Sequence, residues 1–178
     1  DNDLSSVPDA VCGLEALTSL DASRNPRLAA LPAGLHALPA LRSLEAGHCG
    51  LRELPPRLPR PLARLAVPCN ALQGLPGEGL LDCAAALEWL DASANRLPAA
   101  PPELAACGAL QHLDLSKNAI RELPAGLSLP ALTVLDVSGN ALAGLPASLL
   151  PSPRLRTLSV RANRLRELPG ALGGCGAL

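Results

Sequence analysis

Phenylalanine, tyrosine and methionine are absent from this chain, and Trp89 is its single aromatic residue. A core anchored on aromatic rings is therefore excluded, and the interior must be built from leucine, valine and alanine. Charge of one sign is also lacking. Fifteen basic and 16 acidic residues leave a formal net charge of −1, so neither nucleic acid nor an anionic membrane is expected as a partner. Among the basic residues only Lys117 is a lysine, and Ile120 is the sole isoleucine, a bias of the kind that GC-rich coding imposes. No two of the six cysteines (Cys12, Cys49, Cys69, Cys83, Cys107 and Cys175) stand in a CxxC pair, so neither a disulfide framework nor a metal site is indicated, and no cofactor is expected. The chain has no Asn-x-Ser/Thr site, no signal peptide and no apolar run of membrane-spanning length, which together point to the cytoplasm.

What is present is leucine in excess, with 19 prolines and 15 glycines spread along the whole length. Many short elements punctuated at regular intervals are expected, rather than a few long helices. One pattern, LxxLxLxxNxL followed by xxLP, returns throughout. It starts at Leu17, Leu41, Leu62, Leu87, Leu110, Leu132 and Leu155, at intervals of 24, 21, 25, 23, 22 and 23 residues. A half-repeat precedes these at Asn2, and Leu178 opens an eighth. The chain is thus read as a single array over 1–178, with seven full repeats and partial ones at both ends. Neither end reads as a cap, so it is expected to be part of a longer chain.

Each residue class has a physical reason. Alternation in xLxLx predicts a short strand with leucines such as Leu113 and Leu115 pointing inward. The asparagines that end each strand (Asn25, Asn70, Asn95, Asn118, Asn140, Asn163) are expected to bond backbone groups of their own and adjoining turns, forming a structural ladder. Cys49 takes the place of asparagine in the second repeat. Cys107 and Cys175 fall where other repeats carry Leu14, Leu38 or Leu129, and are read as small core residues. Leu-Pro pairs such as Leu31-Pro32 and Leu123-Pro124 should start an outer segment with an extended or 3₁₀ path. The expected fold is an α/β solenoid, a horseshoe arc with a concave parallel sheet and convex 3₁₀ or extended segments.

Seven strands at roughly 4.8 Å spacing make a concave sheet about 30 Å long, a size suited to a protein or peptide. Its outward positions are the candidate partner-binding residues: Asp21, Arg24, Arg42, Glu45, His48, Arg64, Trp89, Asp91, His112, Asp114, Lys117, Asp136, Arg156 and Arg161. Between the two strand leucines the repeats carry Asp21, Glu45, Ala66, Asp91, Asp114, Asp136 and Ser159, five of seven acidic. Such a column either suits a basic partner or is simply the commonest form of the repeat, its aspartate capping the neighbouring strand. Trp89 is either a binding anchor or a plate lying flat across neighbours such as Arg64 and His112. Arginines crowd the last full repeat, so the inner surface is expected either to run from acidic to basic or to be a solvated charged face. No phosphate loop, carboxylate pair or activated nucleophile stands outside the repeat pattern, and an enzyme is not expected.

The repeats resemble the typical, roughly 23-residue class of leucine-rich repeat over essentially the whole chain. The segments NDLSSVPDAVC from Asn2, LRSLEAGHCGLRELPPRL from Leu41 and LEWLDASANRL from Leu87 are also similar to the repeats of the PH-domain leucine-rich-repeat protein phosphatases. The resemblance implies an interaction scaffold that binds a protein or peptide, with a place as a subunit of a larger assembly as a further expectation. The alternative it implies is a substrate-recruiting or regulatory region of a multidomain phosphatase, kinase or GTPase. A receptor ectodomain is a third reading, and it predicts oxidised thiols.

Overall fold

The second leucine of each repeat lies at the centre of a three-residue strand. The computed structural model describes residues 2–149, 152–170 and 175–178. The strands are β1 (Ser19–Asp21), β2 (Ser43–Glu45), β3 (Arg64–Ala66), β4 (Trp89–Asp91), β5 (His112–Asp114), β6 (Val134–Asp136) and β7 (Thr157–Ser159). They form one open parallel sheet in sequence order. The register is unbroken, so Leu20, Leu44, Leu65, Leu90, Leu113, Leu135 and Leu158 make one inward column. Beside it the opening leucines, from Leu41 to Leu155, are fully buried. A parallel sheet needs a crossover from each strand to the next, and here the outer segment of each repeat supplies it.

The expected inward positions form one continuous core. Leu113, Leu115, Cys107 and most of the leucines have no solvent exposure, and Cys175 is also buried. At roughly 1.5–3 kcal/mol per buried leucine, stacking of repeats rather than any single repeat holds the structure together. Leu14 departs from the expectation. It is 52% exposed, whereas its equivalents Leu38 and Leu129 are 1% exposed. Among the described residues no turn lies outside it to cover it.

The asparagine ladder closes the strand ends. Asn95 donates Nδ2 to the carbonyls of Val67, one repeat back, and Ala92, at 2.9 and 3.1 Å, while its Oδ1 accepts from Leu72 N at 3.0 Å. Asn70, Asn118, Asn140 and Asn163 repeat this pattern. The residue before each ladder position has positive φ: Arg24, His48, Cys69, Ala94, Lys117, Gly139 and Ala162. Only Gly139 adopts it without a Cβ penalty. The other six each precede a ladder side chain that bonds strand-end carbonyls, an asparagine after five of them and Cys49 after His48.

The outer segments include 3₁₀ turns at Asp9–Gly13, Ala33–Ala37, Pro102–Ala106 and Ala147–Leu149, the second and fourth after the pairs Leu31-Pro32 and Leu145-Pro146 and the other two after Val7-Pro8 and Ala100-Pro101. One differs from the expectation. The 25-residue interval beginning at Leu62 contains a true α-helix, α1 (Gly77–Cys83). It is the longest of the intervals, and the additional residues extend a single 3₁₀ turn into two turns of helix. Leu80 and Cys83 turn inward from α1 and are fully buried. On the outer side Arg57 makes a two-pronged ion pair with Asp82 of α1, at 2.5 and 2.6 Å.

Candidate partner-binding face

The strand face opposite the leucine column carries two parallel rows of side chains. The first is Ser19, Ser43, Arg64, Trp89, His112, Val134 and Thr157, in register from strand to strand. At its centre Trp89 and His112 stack with ring centroids 3.5 Å apart and planes 1° from parallel. The guanidinium of Arg64 lies over the Trp89 ring, its Cζ 4.4 Å from the centroid, and its Nε pairs with Glu45 Oε1 at 3.2 Å. Trp89 is therefore a plate sandwiched between a cation and an imidazole, the second of the two sequence-based alternatives. Its indole Nε1 is buried without a hydrogen-bond partner among the described residues. Burial holds the His112 imidazole below its ordinary pKa of 6.5, against the pull of Asp114 and Asp91.

The second row contains Asp91, Asp114 and Asp136, directly opposite one another on β4, β5 and β6. Sequence reasoning left open whether these aspartates cap the neighbouring strand. They do not. Each accepts, on Oδ1, the backbone N–H two residues ahead in its own turn: Ser93 to Asp91 at 2.9 Å, Ser116 to Asp114 at 2.8 Å, Ser138 to Asp136 at 2.8 Å. Asp21 makes the same bond with Ser23. The bond uses one oxygen of each carboxylate. Desolvation by burial raises the pKa of Asp114, opposed by its bonds with Ser116 and reinforced by Asp91 and Asp136.

The remaining candidates lie around these rows. Arg24, His48 and Lys117 occupy positive-φ turn positions at the rim, with Arg161 one residue before the corresponding turn position, Ala162. Arg42 and Arg156 stand just before their strands, at the opposite rim. The fold thus brings together Arg64, Trp89 and His112, and separately Asp91, Asp114 and Asp136, while the arginines of the last repeat are divided between the two rims. Sequence reasoning missed the positive-φ row, because only Gly139 among its residue types signals such a backbone. The thiols inside the array are inert: burial pushes Cys83 up to about 12 and Cys107 up to about 11.

A family pattern described as leucine-rich repeats in two copies matches residues 108–147. The whole chain superimposes on a leucine-rich-repeat protein of Leptospira interrogans with a TM-score of 0.93 at 27% identity, covering 45% of that protein's chain. The chain is a leucine-rich repeat array. Two plant receptors are also similar, each over 97% of this chain: the peptide hormone receptor RGFR1 in complex with RGF2, with a TM-score of 0.82, 25% identity and 29% of that chain, and the leucine-rich-repeat ectodomain of the Arabidopsis thaliana receptor kinase GASSHO1/SCHENGEN3 in complex with Casparian strip integrity factor 2, with a TM-score of 0.82, 28% identity and 22% of that chain. This leucine-rich repeat chain therefore spans less than half the length of each of these three proteins. No curated protein sequence matches it. Among the described residues no helix is long and apolar enough to cross a membrane.

Proposed function

We propose that this array is a protein-interaction scaffold that holds a protein or peptide on its concave sheet and performs no catalysis of its own. One observation carries the reading. The inward strand column is leucine in all seven repeats, whereas the outward column beside it holds serine, arginine, tryptophan, histidine, valine and threonine. A uniform interior with a varied open face is what a binding surface built on a fixed frame requires. The likeness to receptors solved in complex with RGF2 and with Casparian strip integrity factor 2 supports a protein or peptide as the class of partner. Asp91, Asp114, Trp89 and His112 form its centre, with Asp21, Glu45, Arg64 and Asp136 beside them and Arg24, Arg42, His48, Lys117, Arg156 and Arg161 on its rims.

The test is partner recovery by affinity purification from cell extract. The intact protein is compared with a Trp89→Ala, Asp91→Ala, Asp114→Ala variant and with an outer-surface Arg57→Ala control. Loss with the first variant alone supports the concave face. Unchanged recovery moves the site to an edge or to the outer surface.

A second reading, a recruiting region of a larger signalling enzyme, is favoured by the likeness to a receptor kinase's repeats. It predicts a catalytic domain in the same polypeptide. We place the array in the cytoplasm, on its six unpaired thiols. Mass-spectrometric counting of thiols in the native protein checks this, and oxidised cysteines would favour the receptor-ectodomain alternative.

A further inference from the structure

His112 stands on β5 between Trp89 on β4 and Val134 on β6, in register with both. One face of its imidazole is stacked on the indole at 3.5 Å. Among the described residues neither ring nitrogen has a hydrogen-bond partner. The imidazole therefore sits as an apolar plate would, covering one face of Trp89 while the Arg64 guanidinium covers the other. Arg64 is held in place by Glu45 as well as by the ring. His112 has no such second tether among the described residues.

The groups that face His112 pull it two ways once it carries a proton. Asp114 lies two residues along the same strand and on the same side of the sheet, with Asp91 on β4 and Asp136 on β6 beside it in register. All three favour the imidazolium, whereas Arg64, across the indole on β3, opposes it. Glu88, just before β4, and the uncharged Gln111 share with Arg64, Trp89, His112 and Val134 a groove of about 330 Å³. Burial is the largest influence of all, and it holds the ring neutral to a lower pH than the ordinary 6.5.

A cation on an indole face is ordinarily favourable. Here that attraction is already taken by Arg64, so an imidazolium on the opposite face adds a second positive charge to the same ring and leaves both of its N–H groups dependent on water. We propose that His112 is a proton-operated cover for Trp89: neutral, it lies on the indole; protonated, it turns about its Cα–Cβ bond towards solvent and the Asp114 side, opening that face of the ring to the groove. The concave surface then carries an aromatic platform only under mildly acidic conditions. This regulation concerns the surface proposed above to hold a partner, yet its test needs no partner, so either reading can fail without the other.

Trp89 is the single tryptophan of the chain, so its emission reports the cover directly. The experiment records the emission maximum and acrylamide quenching between about pH 7.5 and about pH 4.5, with circular dichroism at each point. Folding should be retained while the emission moves to longer wavelength and the quenching constant rises about twofold or more. A single step should describe both changes, with its midpoint below 6.5. That step should move to higher pH in Arg64→Gln, which removes the opposing cation, and to lower pH in Asp114→Asn, which removes an attracting anion. His112→Phe keeps a plate on the indole and cannot take up a proton, so its Trp89 should stay shielded throughout.

The same step in His112→Phe would overturn the assignment. So would dimming of the unmodified protein with no gain in acrylamide access, since the proton would then be taken up with the cover still closed. Loss of the circular dichroism signal at the same midpoint would overturn it too, because the whole fold rather than one side chain would be opening.

Discussion

Leu28 donates its N–H to the carbonyl of Asn25 at 2.8 Å, and this local turn replaces a bond that the other repeats obtain from an asparagine side chain. Leu51, Leu72, Leu97, Ile120 and Leu142 each give the equivalent N–H to the ladder asparagine of the next repeat. The residue in that place for Leu28 is Cys49, whose thiol donates to Ala22 O at 3.3 Å but lacks a carbonyl to accept with. The 24-residue interval from Leu17 to Leu41 accommodates Pro26 in the intervening turn, and the turn supplies the missing acceptor. The cysteine and the turn are thus one compensated unit.

Replacing Cys49 by asparagine should consequently change stability by less than about 1 kcal/mol, since the new carbonyl finds its natural donor already engaged. Asn95→Ala should behave differently. Asn95 is buried, and its loss leaves Leu72 N without a partner and removes one of the two amide donors to Val67 O, the other being Asn70, a cost of about 1–3 kcal/mol. Urea unfolding of the two variants, monitored by circular dichroism, checks the contrast.

Trp89→Phe keeps an aromatic plate between Arg64 and His112 and removes the buried, unpartnered indole N–H. Its thermal midpoint should be unchanged or higher. Trp89→Ala removes the plate and should cost about 1–3 kcal/mol. A Phe variant as destabilised as the Ala variant would mean that the indole nitrogen, not the stack, matters.

Asp114 has a folded-state pKa above its ordinary value of 3.8, through burial first and then through its acidic neighbours. The folded state therefore holds that proton more tightly than the unfolded chain, and this residue's contribution to stability falls as pH rises through the folded pKa. Asp114→Asn should stabilise the protein at neutral pH, and the gain should vanish below pH 3.8. His112 has the opposite sign. Its lowered pKa means that stability falls as pH drops below 6.5 towards the folded value. Thermal midpoints of both proteins across this range separate the two contributions.

Gly50 and Gly77 should respond differently to alanine. A Cβ at Gly50 would lie 2.8 Å from the Pro26 carbonyl oxygen, a backbone atom that cannot move aside, and the substitution should cost about 1–3 kcal/mol. At Gly77 the nearest atoms belong to the Glu103 carboxylate, the far end of a flexible side chain. Since Gly77 begins α1, alanine there should be neutral or stabilising by up to about 1 kcal/mol. Denaturant midpoints of the two variants measure both effects.

The leucine columns and the asparagine ladder were legible in the sequence because each depends on a residue type that has few substitutes for its job. The Trp89 plate was legible as one of two alternatives, since spacing put Arg64, Trp89 and His112 at equivalent positions. Three features were not legible. The positive-φ row is imposed by hydrogen bonds around it and accepts arginine, histidine, cysteine, alanine and lysine alike. Helix α1 starts through two glycines, Gly77 and Gly79, which are poor helix formers, and tertiary packing of Leu80 and Cys83 overrides their propensity. The destination of the aspartate bonds turned on whether a short side chain meets its own turn or the next strand, a choice of backbone geometry that residue identity leaves undetermined.

The chain contains one indole and no phenol, so all of its near-ultraviolet emission originates at a single point in the middle of the curved sheet. That chromophore is pressed between a guanidinium and an imidazole. Any guest that shifts either neighbour, or that excludes water from the groove beside them, alters the colour or intensity of the light. The molecule thus carries its own unlabelled optical sensor on the surface where occupancy is expected.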